Sequence, residues 1–242
     1  MRGFCPATLM ERLVCTGKEG ELLLITGQEF NHFRALRLKK DDRLEVFCEG
    51  RLFLSLVVSV EKGCAFCRPL EEISIPLPEP EVNLYQCVPS DLKLMEEVID
   101  RASQTGARSL VPVICKRGFQ KPGLIEEKLE RWKRLSLVSF KQCKRPAPME
   151  IGRPVQLSGL RAKEEISLVL DNFSAELGIR ELDMNRKSYG VVVGPEGGLS
   201  LEEVQALKDR GFKPLFLRPY ILRTEMAGAV AIALIMNLAG KG

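Results

Sequence analysis

The sequence predicts an α/β protein in two parts, with a ligand site at the carboxyl edge of a parallel sheet. Three observations predict it. Residues 1 to about 72 read as short strands separated by turns. Ile75-Pro-Leu-Pro-Glu-Pro80 then places three prolines in five residues, which can continue neither a sheet nor a helix. This linker divides the chain into 1–74 and 75–242. Beyond it, apolar runs alternate with helical patterns, the β-α-β order of a parallel sheet.

In the first part, Glu21-Leu-Leu-Leu-Ile25, Arg43-Leu-Glu-Val-Phe47 and Leu52 to Val60 are strand-like, and Glu49-Gly50 and Lys62-Gly63 mark turns. Glu29 to Arg37 reads as a helical turn, with Arg34, Arg37, Lys39 and Lys40 forming a basic edge suited to RNA phosphates. For His32, the sole histidine, a structural role is expected.

In the second part, Val82 to Val88 is a strand and Pro89-Ser-Asp91 can start a helix. Leu94, Met95, Val98, Ile99 and Ala102 share its apolar face, and Gly106 stops it. Ser109 to Cys115 is the next strand. A helix through Glu130-Arg-Trp132 presents Leu135 and Val138 on its apolar face and closes at Gln142-Cys-Lys-Arg145. Glu165 to Asp171 is a buried strand, followed by a polar, irregular loop to Tyr189.

The last fifty residues carry two strand–turn–helix units, whose turns would meet at one sheet edge. In the first, Tyr189 to Gly194 leads into Pro195-Glu-Gly-Gly-Leu-Ser200. Gly194, Gly197 and Gly198 free the backbone and leave room for a ligand. Ser200 and Glu203 fit a capping box, and Gly211 fits the stop of that helix. In the second, Pro214 to Arg218 leads into Ile221-Leu-Arg-Thr-Glu225 and an apolar helix to Leu238. Thr224 fits a helix cap, with Glu225 favoured at its positive end. Arg223 is disfavoured there as a structural residue, and at the mouth of an apolar pocket it suits developing negative charge. The turns are neither a dinucleotide fingerprint nor a phosphate loop: G-x-G-x-x-G is absent and no Lys-Ser/Thr follows the glycines. G-x-S-x-G is absent too, which speaks against an α/β hydrolase.

Composition sets further bounds. Apolar content of 45% and charged content of 28% over 242 residues are those of a soluble globular chain. The amino terminus shows no signal-peptide pattern. The longest apolar stretch, Met226 to Leu238, falls short of the roughly 20 residues that span a bilayer. The eight cysteines are expected to be free thiols, and Cys64-Ala-Phe-Cys67 lacks the second ligand pair that a zinc site needs, so no metal is expected. Net charge is +4, but residues 108–153 hold 12 basic and 4 acidic residues, while residues 1–75 hold 11 of each. A local basic stretch of this kind suits a nucleic-acid partner.

Taken together, Gly194-Pro-Glu-Gly-Gly-Leu-Ser200 and Ile221-Leu-Arg-Thr-Glu225 closely resemble two signature stretches of the ribosomal RNA small subunit methyltransferase E family. These are SPOUT-class enzymes that methylate N3 of a uridine in 16S ribosomal RNA. Other matches follow in order: His32 with Arg37, Lys93, Arg117, Glu130-Arg-Trp132, and Gln142 with Arg145. The resemblance implies an N-terminal PUA-like small β-barrel and a C-terminal SPOUT α/β domain with a deep trefoil knot. It implies S-adenosylmethionine as methyl donor, 16S ribosomal RNA in the small subunit as partner, a homodimer, and a cytoplasmic location.

On that reading the donor would lie against Leu170, Gly194, Pro195, Glu196, Gly197, Gly198, Leu217, Ile221, Leu222 and Thr224. Arg223 would stabilise the uracil anion, with Glu196 or Glu225 as base or as the group orienting Arg223. Arg34, Arg37, Lys93, Arg117 and Arg145 would contact RNA. The chain departs from the family pattern at Gln104-Thr-Gly106, Lys141, Arg218 and Met226, and Arg218 is expected to crowd the donor's rim. Two alternatives stand beside this reading: a non-catalytic RNA-binding or ribosome-assembly protein, and a SPOUT methyltransferase for another RNA position.

Overall fold

The computed structural model describes residues 10–175 and 177–239. The chain divides into two compact units between Leu77 and Pro78.

The first unit contains β1 (Arg12–Val14), β2 (Gly17–Glu19), β3 (Leu22–Thr26), α1 (Gly27–Ala35), β4 (Arg43–Cys48), β5 (Arg51–Glu61) and β6 (Cys64–Ile73). The sheet order is β1-β4-β5-β6-β3-β2; β1 pairs parallel to β4 and the other neighbours are antiparallel. Register shifts between Leu54 and Ser55 and between Val57 and Ser59 bend the long β5–β6 hairpin. The sheet curls around Leu13, Ile25, Phe33, Leu44, Val46 and Val57, all out of water. Within this core the Arg12 Nε donates to Glu45 at 2.6 Å.

Two expectations for this unit, on its cysteines and on His32, are corrected. Cys15 and Cys48 form a disulfide, with Cα atoms 5.1 Å apart, that ties the chain after β1 to the end of β4. Backbone pairing already aligns the two residues, because the Cys15 amide donates to the Phe47 carbonyl. Cys64, Cys67, Cys87, Cys115 and Cys143 are free, and Cys5 lies outside the described residues. The C-x-x-C segment is strand β6, where residues three apart point to opposite faces, so Cys64 and Cys67 cannot share one ligand. Burial pushes the Cys67 thiol up to about 12. His32 lies exposed on α1, and its ring has no partner among the described residues, so it is not a core histidine.

The second unit runs β7 (Glu81–Cys87), α2 (Leu92–Thr105), β8 (Ser109–Ile114), α3 (Pro122–Cys143), β9 (Glu150–Ile151), β10 (Val155–Gln156), β11 (Ile166–Leu170), β12 (Leu177–Gly178), β13 (Ser188–Val193), α4 (Leu201–Lys208), β14 (Lys213–Phe216) and α5 (Thr224–Ala239). Its sheet has the order β10-β8-β7-β13-β11-β14-β12, with β9 beside β8, and every pairing is parallel. Both faces are covered, which explains the nearly continuous apolar strands. Val82, Leu84, Val191 and Val193 pack with Met95, Ile99, Trp132 and Ile232 on one face. Tyr85, Cys87, Val169 and Val192 pack with Val204, Leu207 and Phe212 on the other.

Local chemistry sets the helix ends. The Asp91 side chain accepts from the Lys93 amide at the start of α2, and Gly106, at φ 107°, ends the helix. Pro122 starts α3 in a position that needs no amide donor. The buried stripe of α3 is Ile125, Trp132, Ser136, Ser139 and Phe140; Val138, expected on the apolar face, is 53% exposed. Helical spacing explains this: Val138 stands two positions from Ser136 and from Phe140, about 200° around the axis.

Candidate active site

All strands of the second sheet point one way, so their carboxyl ends share an edge. The turns after β11, β13 and β14 meet there around a cavity of about 520 Å³. Cofactor sites commonly fall between about 300 and 1,000 Å³. Leu170, Asp171, Asn172 and Phe173 contribute from the first turn. Val193 through Leu199 come from the second, and Ile221 through Glu225 with Ala227 from the third. Leu94 of α2 completes the lining.

The glycine turn owes its shape to close backbone approach. The Gly198 amide donates to the Pro195 carbonyl at 2.8 Å, and Gly198 has φ +66°. A Cβ on Gly194 would lie 3.1 Å from the Leu199 amide nitrogen. The expected capping box is present: the Glu203 amide donates to Ser200 Oγ at 3.2 Å and the Ser200 amide to Glu203 Oε2 at 2.8 Å. Glu203 Oε1 also accepts from the Lys116 amide at 2.8 Å, tying α4 to the chain after β8.

Other elements hold the same turn. Arg117 donates to the Gly197 carbonyl at 2.9 Å. Glu196 is exposed, and its Oε2 accepts from the Ser90 amide at 3.1 Å, bridging to the start of α2. Thr224 does not cap α5; it is the helix's first residue, and the Arg223 carbonyl takes the Met226 and Ala227 amides at 2.9 Å. The Thr224 hydroxyl instead donates to the Gly194 carbonyl at 2.6 Å and accepts from Gln86 Nε2 at 3.0 Å. Gln86 is fully buried on β7 and also donates to the Cys87 carbonyl, so one amide joins β7, β13 and α5.

Of the residues the sequence nominates for the donor, Leu170, Gly194, Pro195, Glu196, Gly197, Gly198, Ile221, Leu222 and Thr224 line the cavity. Leu217 does not. It is buried beside a small adjoining void of about 30 Å³ that Leu170 and Leu222 also line. Arg223, Glu196 and Glu225 all reach the cavity. Arg223 is exposed and Glu225 is buried, and neither side chain has a partner among the described residues.

The remaining positions divide. Arg34 and Arg37 are exposed around a shallow depression of the first unit, beside Phe30, Phe33 and Lys62. Lys93 is exposed on α2 but stays out of the cavity, where its neighbour Leu94 stands. Arg117 is exposed with one nitrogen committed to Gly197.

Arg145 is not a surface contact. Its Nη1 donates to the Ser103 carbonyl at 2.8 Å and its Nη2 to the Ala107 carbonyl at 2.6 Å, so it satisfies the carbonyl end of α2. Burial pulls this guanidinium below its ordinary range. Nor does Arg218 crowd the rim: it lies exposed over the Phe216 ring, 4.8 Å from the centroid, and outside the cavity. Met226 is 40% exposed and is also absent from the lining.

Sequence reasoning missed the Asp171-Asn-Phe-Ser174 turn and Gln86. An Asp directly after a buried strand is a turn signal that could have marked the former. A lone glutamine within an apolar strand marks the latter.

The geometry is that of a parallel sheet with a pocket made by three turns, and comparison with known proteins places it. The family model described as RNA methyltransferase domain matches residues 76–236. Ribosomal RNA small subunit methyltransferase E of Aquifex aeolicus is 40% identical over 220 residues, covering 91% of this chain and 96% of that protein. The chain belongs to the ribosomal RNA small subunit methyltransferase E family.

Solved structures agree on the fold. A Legionella pneumophila methyltransferase in complex with the bound cofactor SAM superposes with a TM-score of 0.85 at 25% identity, over 96% of this chain and 99% of that one. Ribosomal RNA small subunit methyltransferase E from Neisseria gonorrhoeae, bound to S-adenosyl methionine, gives 0.83 at 22% identity over 96% and 98%. As a member of this family, the protein is an RNA methyltransferase.

Proposed function

We propose that this protein transfers a methyl group from S-adenosylmethionine to N3 of a uridine in 16S ribosomal RNA. The observation that carries the proposal is the cavity itself. Both family signature turns line it, one supplying exposed backbone and the other an arginine and a carboxylate.

The residues suit such a donor. Leu170, Val193, Leu199, Leu222 and Ala227 offer an apolar slot for a purine, and the glycine turn offers backbone groups to its edge. S-adenosylmethionine, when bound, would supply an electrophilic methyl on a sulfonium centre. N3 of uracil carries a proton at neutral pH, so the site must take up that proton and tolerate charge on the ring oxygens. Arg223 meets the second need: it stands at the mouth with no competing partner, ready for an oxyanion. For the first, Glu225 is the better placed of the two carboxylates. It lines the cavity uncommitted, whereas Glu196 spends an oxygen on the Ser90 amide. Positioning of the base supplies much of the remaining acceleration.

Arg34 and Arg37 on the first unit and Lys93 and Arg117 on the second are proposed to hold RNA phosphates. A homodimer and a cytoplasmic location complete the reading. The test is calorimetric titration with S-adenosylmethionine, followed by transfer of labelled methyl to small-subunit RNA and identification of the product base. N3-methyluridine formed by the wild type and lost in Arg223→Ala, with donor binding kept, is the expected result. Donor binding without transfer to any RNA would instead favour an RNA-binding protein with a relict pocket.

A further inference from the structure

Phe173 is 84% exposed, the most exposed large apolar side chain among the described residues, and it lines the cavity. Its placement is held by more than loop chance. Asp171, only 8% exposed, follows central strand β11, and its amide donates to the Leu215 carbonyl at 2.9 Å. Its Oδ1 accepts from the Phe173 amide at 3.3 Å. Its Oδ2 accepts from the Ser174 amide at 2.8 Å and from the Ser174 hydroxyl. A buried carboxylate thus fixes a tight turn whose product is a phenyl ring kept in water. Folding gains nothing from that ring where it stands, because apolar surface stabilises only when removed from solvent. A ligand that covers it would.

The chemistry of the site names the ligand. On the methyltransferase reading above, the reacting atom lies on the edge of a pyrimidine, so that edge must point inward. Only the flat faces of the base then remain to be gripped. The base must also leave its stack in the RNA, and an aromatic side chain can replace the lost stacking. Ile221, 71% exposed, stands at the same mouth, and Arg223 is there for the ring oxygens. The less exposed part of the lining, Val193, Leu199, Leu222 and Ala227, is apolar enough to take the donor without Phe173.

We infer that Phe173, presented by the Asp171 turn, stacks on the face of the RNA base that is to be methylated. This inference rests on the methyltransferase reading, and its test separates the two.

The experiment compares wild type with Phe173→Ala, Phe173→Leu and Phe173→Trp, each first checked for an unchanged thermal midpoint. Three quantities are read: the Kd for S-adenosylmethionine, the Kd for small-subunit RNA, and kcat/KM for methyl transfer to that RNA. Stacking one base on an aromatic ring is worth about 1–3 kcal/mol. Phe173→Ala should therefore lower kcat/KM and weaken RNA binding by about 5- to 150-fold. The donor Kd should stay within about twofold, Phe173→Trp should recover most of the loss, and Phe173→Leu should not. Wild-type kcat/KM in Phe173→Ala would overturn the inference alone. So would a tenfold loss of donor affinity in that variant, which would assign the ring to the donor's pocket. Failure of the wild type itself to methylate RNA would overturn the functional reading and this inference with it.

Discussion

At Gly194 an added methyl group would stand 3.1 Å from the Leu199 amide nitrogen and 3.2 Å from two backbone atoms of Gly198. Those atoms belong to the turn that the donor would touch, and backbone held by hydrogen bonds cannot yield as a flexible side chain can. At Gly197 the same methyl group would meet only the Arg117 side chain, at 3.6 and 3.8 Å, which is ordinary contact. Two glycines of one motif thus carry different constraints. Gly194→Ala is expected to weaken S-adenosylmethionine binding at least tenfold, while Gly197→Ala stays within about twofold. Calorimetry on both variants, with melting curves to confirm folding, reads the contrast; equal losses would mean that the turn responds as a unit. The sequence shows that glycines stand here, but not which of them the turn requires. That depends on atoms brought together by the turn's own closure.

At the scale of elements, local signals were legible and long-range ones were not. The Ser200–Glu203 capping box, the Gly106 stop and the apolar strands β11 and β13 are readable because residues a few positions apart decide them. Arg145 was misread because its carbonyl partners lie 42 and 38 residues upstream, so a charge beside a helix end looked solvated. The Asp171 turn reads as polar loop in the sequence, because its place beside the cavity depends on β11 lying centrally in the sheet.

The pairing of α2 with α3 carries a testable pH dependence of the same long-range kind. Arg131 donates to both oxygens of Glu96, at 2.5 and 2.8 Å. Hydrogen bonding from Arg131, with smaller help from Lys128 and Lys93, holds the Glu96 carboxyl below its ordinary range. A depressed carboxyl contributes stability that is fully present above its unfolded value, about 4.3, and is lost as pH falls through the folded one. The pair is solvent-accessible, so its contribution is small. Thermal melts from pH 7 down to pH 3 should fall more steeply in wild type than in Arg131→Ala, with the curves converging in acid. Parallel curves would show that the pair is not formed in solution.

For the whole molecule, the charge map is thinner than the sequence suggests. Of the basic residues in the 108–153 stretch, Arg131 is paired with Glu96, Lys116 with Glu202 and Lys133 with Glu130, while Arg145 faces carbonyls. Two of those carboxylates lie outside the stretch, so its excess of positive charge is partly cancelled in space. Arg34 and Arg37 of the first unit are exposed, and neither side chain has a partner among the described residues. Each phosphate contact adds about 0.7 to 0.9 to the slope of log affinity against log salt. Replacing either arginine with alanine should lower that slope by about one contact's worth and weaken binding whatever the RNA sequence. Arg145→Lys should leave the slope unchanged while lowering the thermal midpoint, because lysine cannot span the Ser103 and Ala107 carbonyls as the guanidinium fork does. A filter-binding series from low to physiological salt, run on all three variants, decides the matter. A slope that drops for Arg145→Lys and holds for Arg34→Ala and Arg37→Ala would move the RNA footprint off the first unit and onto the end of α2.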